Sequence, residues 1–176
     1  MPRLPIVGVM GSGTESHEPE AAALGRWLAG EGVHLLTGGG GGVMAAVSRA
    51  FHETPERRGL VIGVLPSGDV PGAPKPGYPN PWVEVPILTH LPSTGVHGAE
   101  ATSRNHINVL SSAAIIALPG EAGTASEVAL ALRYGKPVIA FSPNPKLVER
   151  FPTAVSRVER IEAVREFLSP YIRLGS

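Results

Sequence analysis

The stretch Leu118-Pro-Gly-Glu-Ala-Gly-Thr-Ala-Ser-Glu127 constrains this chain more than any other. It ends the apolar run Ala113–Leu118 and opens the helix-like run Val128–Tyr134. Strand, glycine turn and helix start, in that order, form the junction at which α/β sheets bind phosphorylated ligands. Backbone N–H groups in the turn and at the helix N-terminus lack intrahelical acceptors, and the helix dipole favours an anion there. A second glycine loop, Gly38–Gly42, preceded by Thr37 and followed by Val43-Met44, has the same setting. Two such loops in one small domain point to a site for a phosphate-bearing small molecule.

The rest of the chain supplies the sheet. Ile6–Met10 reads as a strand ending in Gly11-Ser-Gly13, followed by a helix from Pro19 to Ala29. Val33–Thr37 is the next strand, then the glycine run, a helix over Val43–His52 and the strand Leu60–Leu65. The Pro- and Gly-rich segment Pro66–Pro81 breaks the alternation and reads as a flap or rim of a site. Trp82–Leu88 is expected near a sheet edge, because Pro86 cannot donate to a ladder. A helix over Ala99–Ser111, the strand Ala113–Leu118, a helix from Thr124, the strand Pro137–Phe141 and a terminal helix over Val155–Leu168 complete the pattern. This order predicts an α/β fold. It should be a Rossmann-like three-layer sandwich with a mostly parallel sheet, helices on both faces and a site at the carboxyl ends of the strands. The 176 residues are expected to form one such nucleotide- or phosphate-binding domain.

Composition removes several classes of function. Lys plus Arg equals Asp plus Glu, at 15 each, so there is no overall basic charge to draw the chain onto nucleic acid. Cys is absent, which excludes disulfides, thiolate metal ligands and a Cys nucleophile. The six His have no metal-ligand spacing, and no metal is expected. No run has transmembrane length and the N-terminus does not read as a signal peptide, so a cytoplasmic chain without membrane contact is expected. Neither a P-loop nor a G-x-S-x-G elbow occurs.

Individual residues carry open alternatives. Gly38–Gly42 can serve close packing alone, but no Ser, Asp or Asn stands at the N-cap of the next helix, which favours an anion partner. Thr124-Ala-Ser-Glu127 is a capping-box pattern, in which Glu127 would reach back to the N-cap amide. The same carboxylate, at the mouth of a phosphate loop, could act as a general acid or base. Arg104, in Thr102–Asn108, reads as an outward turn of a helix, either solvated or forked onto a phosphate. Ser12 and Thr14 could touch a ligand or cap the following helix.

With these residues in place, the chain resembles the Lonely-guy-type proteins, long mislabelled as lysine decarboxylases. Pro119–Glu127 is similar to their P-G-G-x-G-T-x-x-E signature, Gly39–Met44 to G-G-x-x-G-x-M, and Ser103-Arg104-Asn105 falls where they have M-x-x-R-K. The runs Arg104–Ser112, Leu118–Glu127 and Tyr134–Val138 resemble the branch that includes the molybdenum-cofactor carrier proteins. The resemblance implies a Rossmann-like fold and a homodimer or homotetramer. For the enzymes it implies hydrolysis of a nucleoside 5′-monophosphate to free base and ribose 5-phosphate, not decarboxylation. In that reaction Arg104 would position the sugar phosphate, Glu127 would assist attack of water, and Gly120, Gly123 and Thr124 would hold the phosphate. The wider ligand-binding set is Gly11, Ser12, Gly39, Gly40, Gly41, Gly42, Val43, Met44, Arg104, Asn105, Pro119, Gly120, Gly123, Thr124 and Glu127.

Two departures bear on function. Glu121 replaces the second glycine of P-G-G, and Asn105 replaces the lysine of R-K. Both fit the carrier-like branch better than the hydrolases. The expected function is therefore to bind a phosphorylated pterin- or nucleotide-type ligand, with no cofactor required for that role. Molybdenum cofactor, nucleotide or phosphate are the candidate bound groups, and phosphoribohydrolase activity is the alternative.

Overall fold

A computed structural model describes residues 3–70 and 72–172. Seven strands form one sheet: β1 (Ile6–Met10), β2 (His34–Thr37), β3 (Val61–Leu65), β4 (Val85–Leu88), β5 (Ala114–Ala117), β6 (Val138–Phe141) and β7 (Ser156–Val158). Their order is β4-β3-β2-β1-β5-β6-β7, and every pairing is parallel. Five helices accompany them: α1 (Glu18–Gly30), α2 (Gly42–His52), α3 (Asn105–Ser111), α4 (Ala122–Arg133) and α5 (Ile161–Ile172).

The expected three layers are present. Strands buried on both faces are apolar almost without interruption, as in β5, where all four residues are buried. Val7, Val9, Leu35, Ile116 and Phe141 face α1, α2 and α5. Met10, Leu36, Val64 and Ile115 face the opposite way, toward Val109 of α3 and Leu130 of α4. Burying a side chain of this size contributes roughly 1.5–3 kcal/mol, so the central strands anchor the sheet. Val85–Leu88 lies at an edge as Pro86 requires, and all four of its residues are exposed.

Chain order reverses at one place in the sheet. β1 pairs with β2 on one side and with β5 on the other, Val7 lying opposite Ala114 and Met10 opposite Ala117. The loops leaving β1 and β5 diverge to opposite faces there, which opens a crevice at the carboxyl ends of the strands.

Four expected elements differ. The strand over Trp82–Leu88 is only Val85–Leu88, Trp82 lying in a turn. The helix over Ala99–Ser111 is only Asn105–Ser111: residues 99–104 are turn and bend, with Ser103 bridged to Ser93. The terminal helix over Val155–Leu168 splits into β7 and α5. Val155, Val158 and Ile161 recur every three residues and imitate a helical stripe, but Ser156–Val158 pair with β6 at the sheet edge. Arg157 fixes that strand by donating to the carbonyls of Phe151 at 2.6 Å and Val155 at 3.1 Å. Finally, α4 begins at Ala122 with Glu121 at its N-cap, not at Thr124. The capping box therefore does not form, and Glu127 is the sixth helical residue.

Candidate functional site

The loops leaving β1 and β5 are tied together at the switch point. Leu118 N donates to Met10 O at 2.8 Å, and Ser12 N donates to Pro119 O at 2.9 Å. Gly120 permits this approach: a Cβ there would stand 2.8 Å from Ser12 N and 2.7 Å from Thr124 Cβ. Above the joined loops lies a cavity of about 320 Å³. Its floor carries Gly11 and Gly13, and its wall on the α4 side runs from Glu121 to Thr124.

The ladder of α4 starts where Ala125 N donates to Glu121 O at 3.1 Å. The amides of Ala122, Gly123 and Thr124 precede it, and those three residues line the cavity. No side chain caps this helix.

Arg104 is not the exposed residue expected. It is 6% exposed, at the N-cap of α3, and its guanidinium reaches the cavity. Gly38 makes the passage possible: a Cβ there would collide with Arg104 Nη2 and stand 2.9 Å from Cζ. Arg104 Nη1 donates to Asn105 Oδ1, and Nη2 donates to Gly38 O at 3.4 Å. Arg104 Nη1 lies 3.6 Å from Glu127 Oε1. The Nε is buried and has no hydrogen-bond partner among the described residues. A guanidinium placed this way retains a donor that nothing among the described residues satisfies, which is costly in a buried setting.

Glu127 is equally buried and lines the same cavity. Its carboxylate accepts from Asn108 Nδ2 at 2.9 Å. Burial pushes its pKa up, and this outweighs the opposing effects of Arg104 and the Asn108 hydrogen bond. Glu121 goes the other way. The Ser12 hydroxyl, donating to it at 2.6 Å, holds its pKa down against partial burial, and Thr14 adds a contact at 3.3 Å. Ser12 does not cap α1, because its oxygen accepts from the amides of Thr14 and Glu15 within the β1 loop.

The expected site residues fall into two groups. Gly11, Met44, Arg104, Asn105, Gly123, Thr124 and Glu127 line the cavity together. Gly39, Gly40, Gly41, Gly42 and Val43 are not among the residues that line it. Ser12, Pro119 and Gly120 line a neighbouring cavity of about 380 Å³, separated from the first by Glu121, which borders both.

Sequence reasoning missed Tyr78, Thr94, Gly95, Val96 and Asn108. Tyr78 was within reach, as the one aromatic residue of the 66–81 rim. Asn80 pins that rim down, its amide donating to Gly39 O at 2.7 Å and its Nδ2 to Gly40 O at 2.9 Å. Asn108 was signalled by its spacing of four from Arg104 along a helix.

Residues 4–168 match the family model described as the SLOG cluster4 family. The chain belongs to the SLOG cluster4 family. An uncharacterized protein of Archaeoglobus fulgidus is 33% identical over 149 residues, covering 84% of this chain and 85% of that one. The molybdenum cofactor binding protein of the phototrophic bacterium Rippkaea orientalis is 36% identical with a TM-score of 0.75, over 96% of this chain and 97% of that one. The molybdenum cofactor carrier protein of Chlamydomonas reinhardtii is 32% identical with a TM-score of 0.67, over 95% and 99%. The resemblance to the Lonely-guy-type superfamily and its carrier-containing branch therefore holds for this SLOG cluster4 chain. Among the described residues, no helix is long and apolar enough to cross a membrane.

Proposed function

We propose that this chain binds a phosphorylated pterin- or nucleotide-type small molecule, in the manner of a molybdenum-cofactor carrier. One observation carries the reading. The buried, unpartnered Nε of Arg104 belongs to a guanidinium that lines the same cavity as the first residues of α4. A cation and a helix N-terminus on one cavity are complementary to a phosphate. Met44, Tyr78 and Val96 offer apolar walls for a planar ring. The related proteins named for molybdenum cofactor support the pterin-type ligand.

Molybdenum cofactor would be cargo here. Among the described residues no group of three His, Cys, Asp or Glu is arranged to hold a metal, so this chain would hold the cargo through its organic part. Arg104, Asn105, Gly123 and Thr124 would take the phosphate, with Gly11 as floor. Gly39–Val43, Pro119 and Gly120 would shape the cavity from behind. Mass spectrometry of the small molecule that copurifies with the native protein tests this. A phosphorylated pterin or nucleotide is the expected finding, and an empty protein that also fails to take up added molybdenum cofactor would refute it.

A second reading rests on Glu127. A buried carboxyl with a raised pKa, 3.6 Å from an arginine and open to the cavity, suits a general acid or base. In this reading the chain hydrolyses nucleoside 5′-monophosphates, releasing adenine from AMP. Glu127→Gln should then lower the rate by roughly 10²–10⁴-fold. Absence of free base from every purine monophosphate would remove the enzyme reading and leave carriage.

Either function is expected in a homodimer or homotetramer. Leu110 of α3, 50% exposed, and Tyr171 of α5 offer apolar surface for the contact. A strict monomer by light scattering at micromolar concentration would count against it.

A further inference from the structure

Among the described residues, Glu121 is the one that borders both cavities at the switch point. It stands at the N-cap of α4, where the related signature has glycine. Its side chain does not point idly to solvent. Oε1 accepts from Ser12 Oγ at 2.6 Å and from Thr14 Oγ1 at 3.3 Å. Two hydroxyls of the β1 loop, converging on one point beside the uncapped start of α4, form a seat for an anion. In this chain a carboxylate of the chain already fills it.

The charge balance sharpens the point. Two carboxylates, Glu121 and Glu127, and one guanidinium, Arg104, line the cavity that holds the start of α4. Glu127 lies against Arg104, which leaves Glu121 as the charge without a cationic partner among the lining residues. Lys75, whose Nζ donates to the cavity-lining Thr94 at 3.2 Å, is a second cation at the rim. A phosphate entering beside Glu121 meets a like charge that already holds the donors it needs.

We propose that Glu121 is a built-in anion that selects the ligand, by occupying the seat between the β1 and β5 loops and rejecting a bare phosphate from it. This rests on the cavity being a site for a phosphorylated ligand. It narrows the class. A matching ligand keeps its phosphate on the Arg104 side and turns a hydrogen-bond donor, a hydroxyl or a ring N–H, toward Glu121. An anion with no such donor gains the whole seat only by displacing the carboxylate.

The test is a phosphorus NMR titration with inorganic phosphate on the wild-type chain, Glu121→Gln and Glu121→Ala. Gln keeps an acceptor for Ser12 and Thr14 while removing the charge, and thermal unfolding confirms that each variant is folded. Phosphate should bind both variants about 10- to 100-fold more tightly than the wild type, the scale of one removed like charge at close range. Equal or weaker binding in the variants, or no binding to any of the three chains, overturns the proposal. Arg104→Ala in the same titration separates this claim from the one beneath it. A gain in Glu121→Gln that is indifferent to Arg104 upholds the gate and removes Arg104 from the site. No gain in Glu121→Gln, alongside weaker binding in Arg104→Ala, upholds the cavity reading and removes the gate.

Discussion

The loop before α2 and the loop before α4 both join the carboxyl end of a buried parallel strand to a helix with no side-chain cap. They commit their polar groups differently. In the first loop, Gly39 N donates to Thr37 Oγ1 at 3.0 Å, Val43 N donates to Ser12 O at 2.9 Å, and the carbonyls of Gly39 and Gly40 accept from Asn80. Its bonding is internal, and its glycines admit Arg104 and Tyr78 close to the backbone. In the second loop only the start is used this way, through Pro119 and Gly120. Ala122, Gly123 and Thr124, ahead of the first bond of the α4 ladder, line the cavity. One glycine loop is bonded into the fold along its length, and the other only through its first half, while the rest borders the cavity.

Arg104 links the two, so its loss should have the largest effect. Arg104→Ala would leave Glu127 buried beside no cation and open space against Gly38. Removing one partner of a buried pair costs about 3–5 kcal/mol. An exposed arginine would have affected binding while leaving stability alone, whereas the buried residue is expected to lower both. Chemical denaturation and ligand titration on the same sample check this. A stability loss under about 1 kcal/mol would mean that the pair behaves as a surface ion pair.

Two alanine substitutions then set the loops against each other. In Gly38→Ala the new methyl would occupy the space of the Arg104 guanidinium. Overpacking of this kind costs typically about 1–3 kcal/mol, and the displaced guanidinium should weaken ligand binding as well. In Gly123→Ala the Cβ would meet Gly95 Cα at 3.6 Å, an ordinary contact, inside a helix that favours Ala over Gly. That variant should fold as well as the wild type, or better by up to about 1 kcal/mol, while losing affinity for a phosphorylated ligand. If Gly123→Ala binds normally, the second loop is not the ligand-facing one and the contrast collapses.

The sequence carried the fold through short apolar runs alternating with helical periods, and it carried half of the lining of the candidate site. Glycine run, strand end and helix start are local features, so both loops were visible. What each loop does with its amides depends on residues far along the chain. Asn80 reaches Gly40 across 40 positions, and Arg104 reaches Gly38 across 66. No local pattern reports such partners. The same holds for Arg104, whose burial follows from a space that only the packed Gly38 provides. Glu127 read as a capping residue because the helix start was placed at Thr124, and Glu121 at the N-cap moved it into the helix interior.

Asn80 offers a gentler test of the scaffold loop. Asn80→Ala removes the bond to Gly40 O and the 3.2 Å contact from Trp82 N to Oδ1, while the Asn80 amide can still donate to Gly39 O. The expected cost is about 1–2 kcal/mol, with a few-fold loss of ligand affinity because Tyr78 is less firmly placed. Unchanged thermal unfolding would show that the rim is not held through this residue.

The smallest effects are in pH dependence, where the two carboxylates of the second loop should have opposite signs. Glu121 has its pKa lowered on folding, chiefly by Ser12. Its contribution is therefore present above the ordinary carboxylate range and disappears as pH falls through the lowered folded value. It should be small, because the group is exposed. Glu127 has its pKa raised on folding by burial, so the folded chain holds a proton that the unfolded chain has released. Its contribution falls as pH rises from the ordinary carboxylate range through the raised folded value. Denaturation across a pH series, comparing the wild type with Glu121→Gln and with Glu127→Gln, reads each sign separately. Arg104 opposes the rise at Glu127, so Arg104→Ala should extend the Glu127 window upward and leave that of Glu121 in place. A shift in both windows would mean that the two carboxylates titrate as one group, and that the halves of the second loop do not act independently.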